Sequence, residues 1–194
     1  MPRWFIRVLA ACACAAAAWA ADVTVVLDFD GPYSGRAIEQ MKRETQDIFK
    51  TTGLHLDFRP LSGADRQTYQ DLVVVRFKGK CVLDPVPMLY DERGPYAFTY
   101  DSNGDVLPFS EVDCNHVNAS VQSAMDVTDH GRPDYLMGRA LGRVLAHELV
   151  HILTKSATHS DDGVAQSALS GRDLIGPPLK LTPSDLQRLR DAGR

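Results

Sequence analysis

The sequence predicts an α+β fold. Two observations lead there. Short β-rich runs fill much of the first 110 residues, interrupted by one amphipathic helical pattern, and a single long helical pattern follows them. The 194 residues, 44% hydrophobic and 24% charged, suffice for one domain with a sizeable core and exclude a disordered tail. No internal repeat or interdomain linker divides them.

The elements follow in order. Val23–Phe29 (VTVVLDF) reads as a strand. Residues 34–50 carry Ala37, Ile38, Met41, Ile48 and Phe49 at helical spacing, with Ser34 as N-cap and Gly53 beyond the end. Leu54–Arg59 alternates apolar and polar, and Asp71–Phe77 holds three consecutive valines, so both read as strands. Residues 81–95 are rich in Pro, Asp and Gly and read as a loop. Tyr96–Tyr100 and Val106–Phe109 flank Asn103-Gly104, a hairpin signal. Pro108 pushes its strand toward an edge. A short helix is expected within Val112–Ala124.

The longest helix should span about Asp134 to Lys155. Apolar residues occupy most of its circumference, which predicts a central helix buried on more than one side. Gly138, Gly142 and Ala146 form a small-residue row at i, i+4, i+8. Two interior glycines cost about 1 kcal/mol each, so the row implies close approach of another helix, residues 34–50 being the candidate. Thr182-Pro183-Ser184-Asp185 starts a short final helix, 183–191.

The N-terminus has the form of a targeting segment. Arg3 and Arg7 precede an apolar stretch too short to span a membrane comfortably, and Ala18-Trp19-Ala20 matches a small-x-small cleavage site. A signal peptide over 1–20 is expected, followed by one domain over 21–194. No transmembrane helix is expected in the mature chain, and export to the periplasm or exterior follows. Leu9-Ala10-Ala11-Cys12 has lipobox letters and leaves a lipid anchor at Cys12 as the alternative. The mature cysteines, Cys81 and Cys114, suggest one disulfide in an oxidising compartment, against two unpaired buried thiols. The net charge is −4 with no basic stripe, which argues against nucleic-acid binding.

Chemistry concentrates in HELVH, residues 147–151. His147 and His151, four apart on a helix, point to one side about a turn apart. Glu148 lies about 100° round, within reach of a water on a shared metal but not of the metal itself. H-E-x-x-H on a helix therefore reads as two zinc ligands and a general base. Such polar residues on a buried helix need a reason, because an unpaired buried polar group costs about 1–3 kcal/mol.

The element order, strand-helix-strand-strand-hairpin and then a helix carrying HELVH, resembles the N-terminal half of zincin metallopeptidases, over roughly Val23 to His159. The resemblance implies a mixed twisted sheet with a backing helix, a central active-site helix and a catalytic Zn²⁺. It divides the domain into an upper subdomain, 21–155, and a small lower one, 156–194. It implies a peptide or protein substrate bound as an extended chain along an edge strand, Tyr96–Tyr100 or Val106–Phe109. It also implies an oxyanion-stabilising side chain, for which His130 and Tyr135 are candidates.

The third ligand departs from the standard patterns. No Glu follows Glu148, and the metzincin glycine and third histidine positions hold Thr154 and Ala157. A Met-turn is absent, since no Met follows Met137. His159 remains as the candidate, with Asp161 or Asp162 as alternatives. The expected activity is zinc-dependent peptide hydrolysis with Glu148 as base; a catalytically silent metal- or partner-binding protein is the second reading. A third comes from VVLDFDGPYS, which resembles the nucleophile motif of haloacid-dehalogenase-like phosphatases, with Asp28 as nucleophile and Asp30 as acid/base. That reading leaves HELVH unexplained.

Overall fold

The computed structural model describes residues 22–63, 68, 69, 71–83 and 94–193. The targeting segment, including Cys12, and most of the Pro-rich loop before residue 94 lie outside the described residues. Strand β1 (Asp22–Phe29) leads into helix α1 (Gly35–Phe49), then β2 (His55–Pro60) and β3 (Leu72–Lys78). The hairpin β4 (Ala97–Ser102) and β5 (Asp105–Asp113) precedes α2 (Cys114–Ala124) and α3 (Pro133–Thr154). Two short helices end the chain, α4 (Gly171–Ile175) and α5 (Pro183–Ala192). The fold class is α+β, as the sequence predicts.

The strands form one mixed sheet in the order β2-β1-β3-β5-β4. All neighbours pair in parallel except β4, which pairs antiparallel with β5 at the edge. β1 lies between two parallel neighbours and buries Val23 through Leu27 on both faces, hence a run that is apolar but for Thr24. Val23, Val25 and Leu27 meet Val73, Val75 and Phe77 of β3 in a core shared with α1 and α3. Leu174, Leu181 and Leu189 from the C-terminal segment join the same core.

α1 begins where Ser34 Oγ accepts the Ala37 amide, and it buries Ala37, Ile38, Met41, Ile48 and Phe49. It packs along α3 at the small-residue row. A Cβ on Gly138 would lie 2.3 Å from the Ala37 carbonyl oxygen, and one on Gly142 would lie 2.8 Å from that of Met41. Only glycine lets the two backbones approach so closely. Thr45 Oγ1 donates to the Gly142 carbonyl across the contact at 3.1 Å.

Pro108 does not mark an edge, contrary to the expectation. β5 is internal, between β3 and β4, and β4 is the edge strand. The reason is local irregularity. The β4–β5 register shifts between Thr99 and Asp101, and β5 joins β3 only from Phe109 onward. Pro108 thus falls where no regular pairing is recorded on either side, and its missing N–H costs little. β5 also runs longer than expected, to Asp113, whose side chain accepts the Asn115 and His116 amides and starts α2. α4 was not anticipated, although Ser170 and Asp173 form its capping box.

Cys81 and Cys114 are disulfide-bonded, joining the segment after β3 to the first residue of α2. A closed loop of this size constrains the unfolded chain. The Cys81→Ala/Cys114→Ala double variant is expected to lose about 3 kcal/mol in urea unfolding. An unchanged midpoint would show that the bridge adds nothing to stability.

Candidate metal centre

Helix α3 carries the site near its C-terminal end. It is buried from Leu136 onward on nearly every side, so its polar groups face protein rather than bulk water. The helix stops at Lys155, which adopts the left-handed conformation at φ 48° and turns the chain away. Residues 156–166 then fold back beneath the helix. The Ser160 amide donates to the Ala165 carbonyl at 2.9 Å, and the Val164 amide to that of Lys180 at 3.0 Å.

This return loop brings three histidines together. The nearest ring nitrogens of His147, His151 and His159 all lie within 4.8 Å of one another, and the group can hold a metal ion. Asp161 and Asp162, the alternatives for the third ligand, do not join it. Among the described residues no other trio of His, Cys, Asp or Glu converges in this way.

The loop also orients the first two rings. His147 Nδ1 lies 2.9 Å from the Val164 carbonyl oxygen, and His151 Nδ1 lies 2.8 Å from that of Ser156. A carbonyl only accepts, so each Nδ1 carries the proton and each Nε2 of a neutral ring presents a lone pair. The two Nε2 atoms are 3.0 Å apart. Two lone pairs at that distance repel unless a positive charge sits between them. A proton is a poor choice, because burial, joined by the charges of His151 and His159, holds the His147 pKa down to about 4 despite its bond to Val164. A divalent cation is a good one. Two tetrahedral zinc ligands at normal bond length stand about 3.3 Å apart, close to what is found. The carbonyl-bonded Nδ1 is also the usual support of a metal-bound histidine.

Glu148 is 5% exposed. Its Oε2 accepts from Thr99 Oγ1 at 2.5 Å and from Ser110 Oγ at 3.3 Å. Burial raises its pKa, opposed by the Thr99 hydrogen bond, the His151 charge and the Ser110 hydrogen bond. Oε1 accepts from no described group. Thr99 on β4 and Ser110 on β5 are cross-strand partners, so the sheet edge holds one carboxylate oxygen and leaves the other available.

Beside these groups runs a cleft of about 860 Å³. Ala97, Phe98 and Thr99 of β4 form one wall; Ala157, His159 and Ser167 to Leu169 contribute to the rest. The edge strand along the cleft is therefore β4, which takes in Ala97 to Tyr100 of the first candidate stretch; Val106 also lines the cleft, but its strand, β5, is internal. Neither oxyanion candidate lines it. His130 is exposed in a 3₁₀ turn, and Tyr135 packs against Arg132 and Arg139 near the start of α3. Asp28 and Asp30 lie at and just beyond the end of β1. Asp28 accepts from Arg76 Nε at 2.9 Å and Asp30 from the Gly79 amide at 2.9 Å, bonds that account for both in structural terms.

The depressed His147 pKa has a consequence for the metal-free protein. Between pH 6.5 and about 4 the unfolded chain binds a proton at His147 that the folded chain does not. Stability from this group is thus intact above 6.5 and falls as the pH drops toward 4, by about 3 kcal/mol at most. Urea unfolding across that range should show the loss, and His147→Gln should flatten it. An equal slope in the variant would assign the effect elsewhere.

No protein-family model matches the chain, and no curated protein matches it.

Proposed function

We propose that the chain is a zinc-dependent peptide hydrolase of the zincin type, with His147, His151 and His159 as ligands and Glu148 as general base. The observation that carries the reading is the pair of Nε2 lone pairs converging at 3.0 Å beside a buried carboxylate with one free oxygen. The order of elements supports it as well, with an antiparallel edge strand along the cleft and the HELVH helix behind it.

Bound zinc would lower the pKa of a water to about 7 and polarise a substrate carbonyl. The chain supplies the rest. β4 offers its unpaired backbone edge to an extended peptide. Thr99 and Ser110 fix Glu148 Oε2, so Oε1 takes the proton from the attacking water and then delivers it to the leaving amine. Glu148's raised pKa suits both halves of that exchange.

The disulfide fits an oxidising compartment, and no helix among the described residues is long and apolar enough to cross a membrane. With the N-terminal targeting pattern, these features support export.

The test is zinc content together with cleavage of a denatured protein mixture. One zinc per chain is expected, with cleavage stopped by a chelator and restored by zinc. Stoichiometric zinc without cleavage would make this a metal-binding protein without turnover. Absence of bound zinc would remove the proposal.

A further inference from the structure

We propose that Asp185 and Arg188 of α5 are positioning residues for the third ligand, a clamp that holds His159 at the metal; this rests on the zinc reading above. His147 and His151 each have a ring nitrogen anchored on a backbone carbonyl. His159 has no such anchor: neither of its ring nitrogens meets a hydrogen-bond partner among the described residues, and its side chain is exposed. Its placement must come from its backbone.

That backbone is gripped on both sides by one helix. Arg188 Nη1 donates to the Thr158 carbonyl at 2.7 Å, and Nη2 donates to Ser160 Oγ at 3.1 Å. Ser160 Oγ in turn donates to Asp185 Oδ1 at 2.6 Å, the same oxygen that receives Arg188 Nη2 at 2.6 Å. The residues before and after His159 are thus tied to one ion pair.

Capping alone does not explain the arrangement. Asp185 completes the α5 capping box with Oδ2, which accepts the Thr182 amide and hydroxyl, both at 2.8 Å. Oδ1 is left over from that task and is spent on Arg188 and Ser160. Asp185 is fully buried, unlike an ordinary exposed helix cap. Arg188 Nε is buried without a partner, so the guanidinium sits where Thr158, Ser160 and Asp185 need it and not where all its donors are satisfied. The grip extends to a second ligand. Ser160 closes the loop onto Ala165, next to the Val164 carbonyl that orients His147.

The experiment compares wild type with Arg188→Ala, Arg188→Lys, Ser160→Ala and Thr182→Ala. Zinc affinity is read by chelator competition, and ligand geometry by the visible absorption of the Co²⁺-substituted protein. Thermal unfolding of the metal-free form reports the fold. Arg188→Ala should weaken zinc binding by about 10–100-fold and alter the Co²⁺ spectrum. Arg188→Lys should recover part of the affinity. Ser160→Ala, a smaller change that keeps the ion pair, should weaken zinc in the same direction. Thr182→Ala removes a hydroxyl from Asp185 Oδ2 but leaves Oδ1 with Ser160 and Arg188, so it should lower the melting temperature with zinc affinity preserved. Wild-type zinc affinity and Co²⁺ spectrum in both Arg188→Ala and Ser160→Ala would overturn the clamp. A wild-type protein that binds no zinc would overturn the metal reading and the clamp with it. Zinc bound at full affinity by every variant, but without turnover, would overturn the clamp and separately the hydrolase reading.

Discussion

Glu148→Gln is expected to lower peptide hydrolysis by about 10²–10⁴-fold while zinc still binds at one per chain. The amide oxygen can replace Oε2 as acceptor for Thr99 and Ser110, so the geometry survives. What is lost is a group able to take a proton and return it. The same variant should be the more stable protein. Because the folded pKa of Glu148 is raised, stability falls as the pH rises past its ordinary value of 4.5, and the loss is complete once the pH exceeds the folded pKa. Glutamine removes this cost, so the metal-free variant should melt higher than wild type above that pH. Lower activity with raised stability separates a functional carboxylate from a structural one. Undiminished cleavage by the variant would remove Glu148 from the reaction.

Glu44→Ala is expected to cost about 3–5 kcal/mol of stability in urea unfolding. Arg143 is completely buried on α3, and its Nε donates to Glu44 Oε1 at 2.8 Å. Arg139 donates to the same oxygen at 3.4 Å. The remaining Arg143 donors hold the C-terminal end of α4 through the carbonyls of Asp173 and Gly176, the latter at 3.1 Å. Burial already pushes the Arg143 pKa down, and Glu44 is the counterweight. Without Glu44, a buried positive charge stands uncompensated. Glu44→Leu combined with Arg143→Met should recover part of the loss by removing both charges. The recovery stays partial, because the α4 carbonyls lose their donor. A cost below about 1 kcal/mol for Glu44→Ala would mean that water reaches Arg143 and does the work of the carboxylate.

Both predictions rest on features that the sequence reveals unevenly. The strands and long helices are legible because apolar spacing has a period set by the backbone: β1 through the fully buried run Val23–Leu27, α3 through its near-continuous apolar surface. The α1–α3 contact is legible because glycine in a helix interior is costly without a reason. The histidines are half legible. His147 and His151 are paired by helical spacing alone. His159 reaches them only through a return loop, and nothing in the spelling of KSATHSDD separates it from Asp161 or Asp162.

Thr99 and Ser110 were missed for a definite reason. A regular hairpin about Asn103-Gly104 would set Thr99 opposite Pro108. The register shift sets it opposite Ser110 instead, and one-dimensional spacing contains no sign of that shift. The same irregularity explains why Pro108 misled. The carbonyls of Ser156 and Val164 belong to no residue type and leave no trace in composition. The α5 clamp is hidden behind a capping box, which accounts for only one of the two Asp185 oxygens.

The contact at Gly138 and Gly142 reaches further than helix packing. α3 carries His147, His151 and Glu148, whereas the hydroxyls that grip Glu148 belong to the sheet. The depth at which α3 rests on α1 therefore sets the spacing between the two halves of the proposed catalytic site. A methyl group at residue 138, some nine positions upstream of His147, would act as a wedge and move those halves apart. The protein's tolerance to mutation is thus narrow at a place away from the cleft, and a map of damaging substitutions would show two centres: the cleft, and a glycine pair hidden behind it.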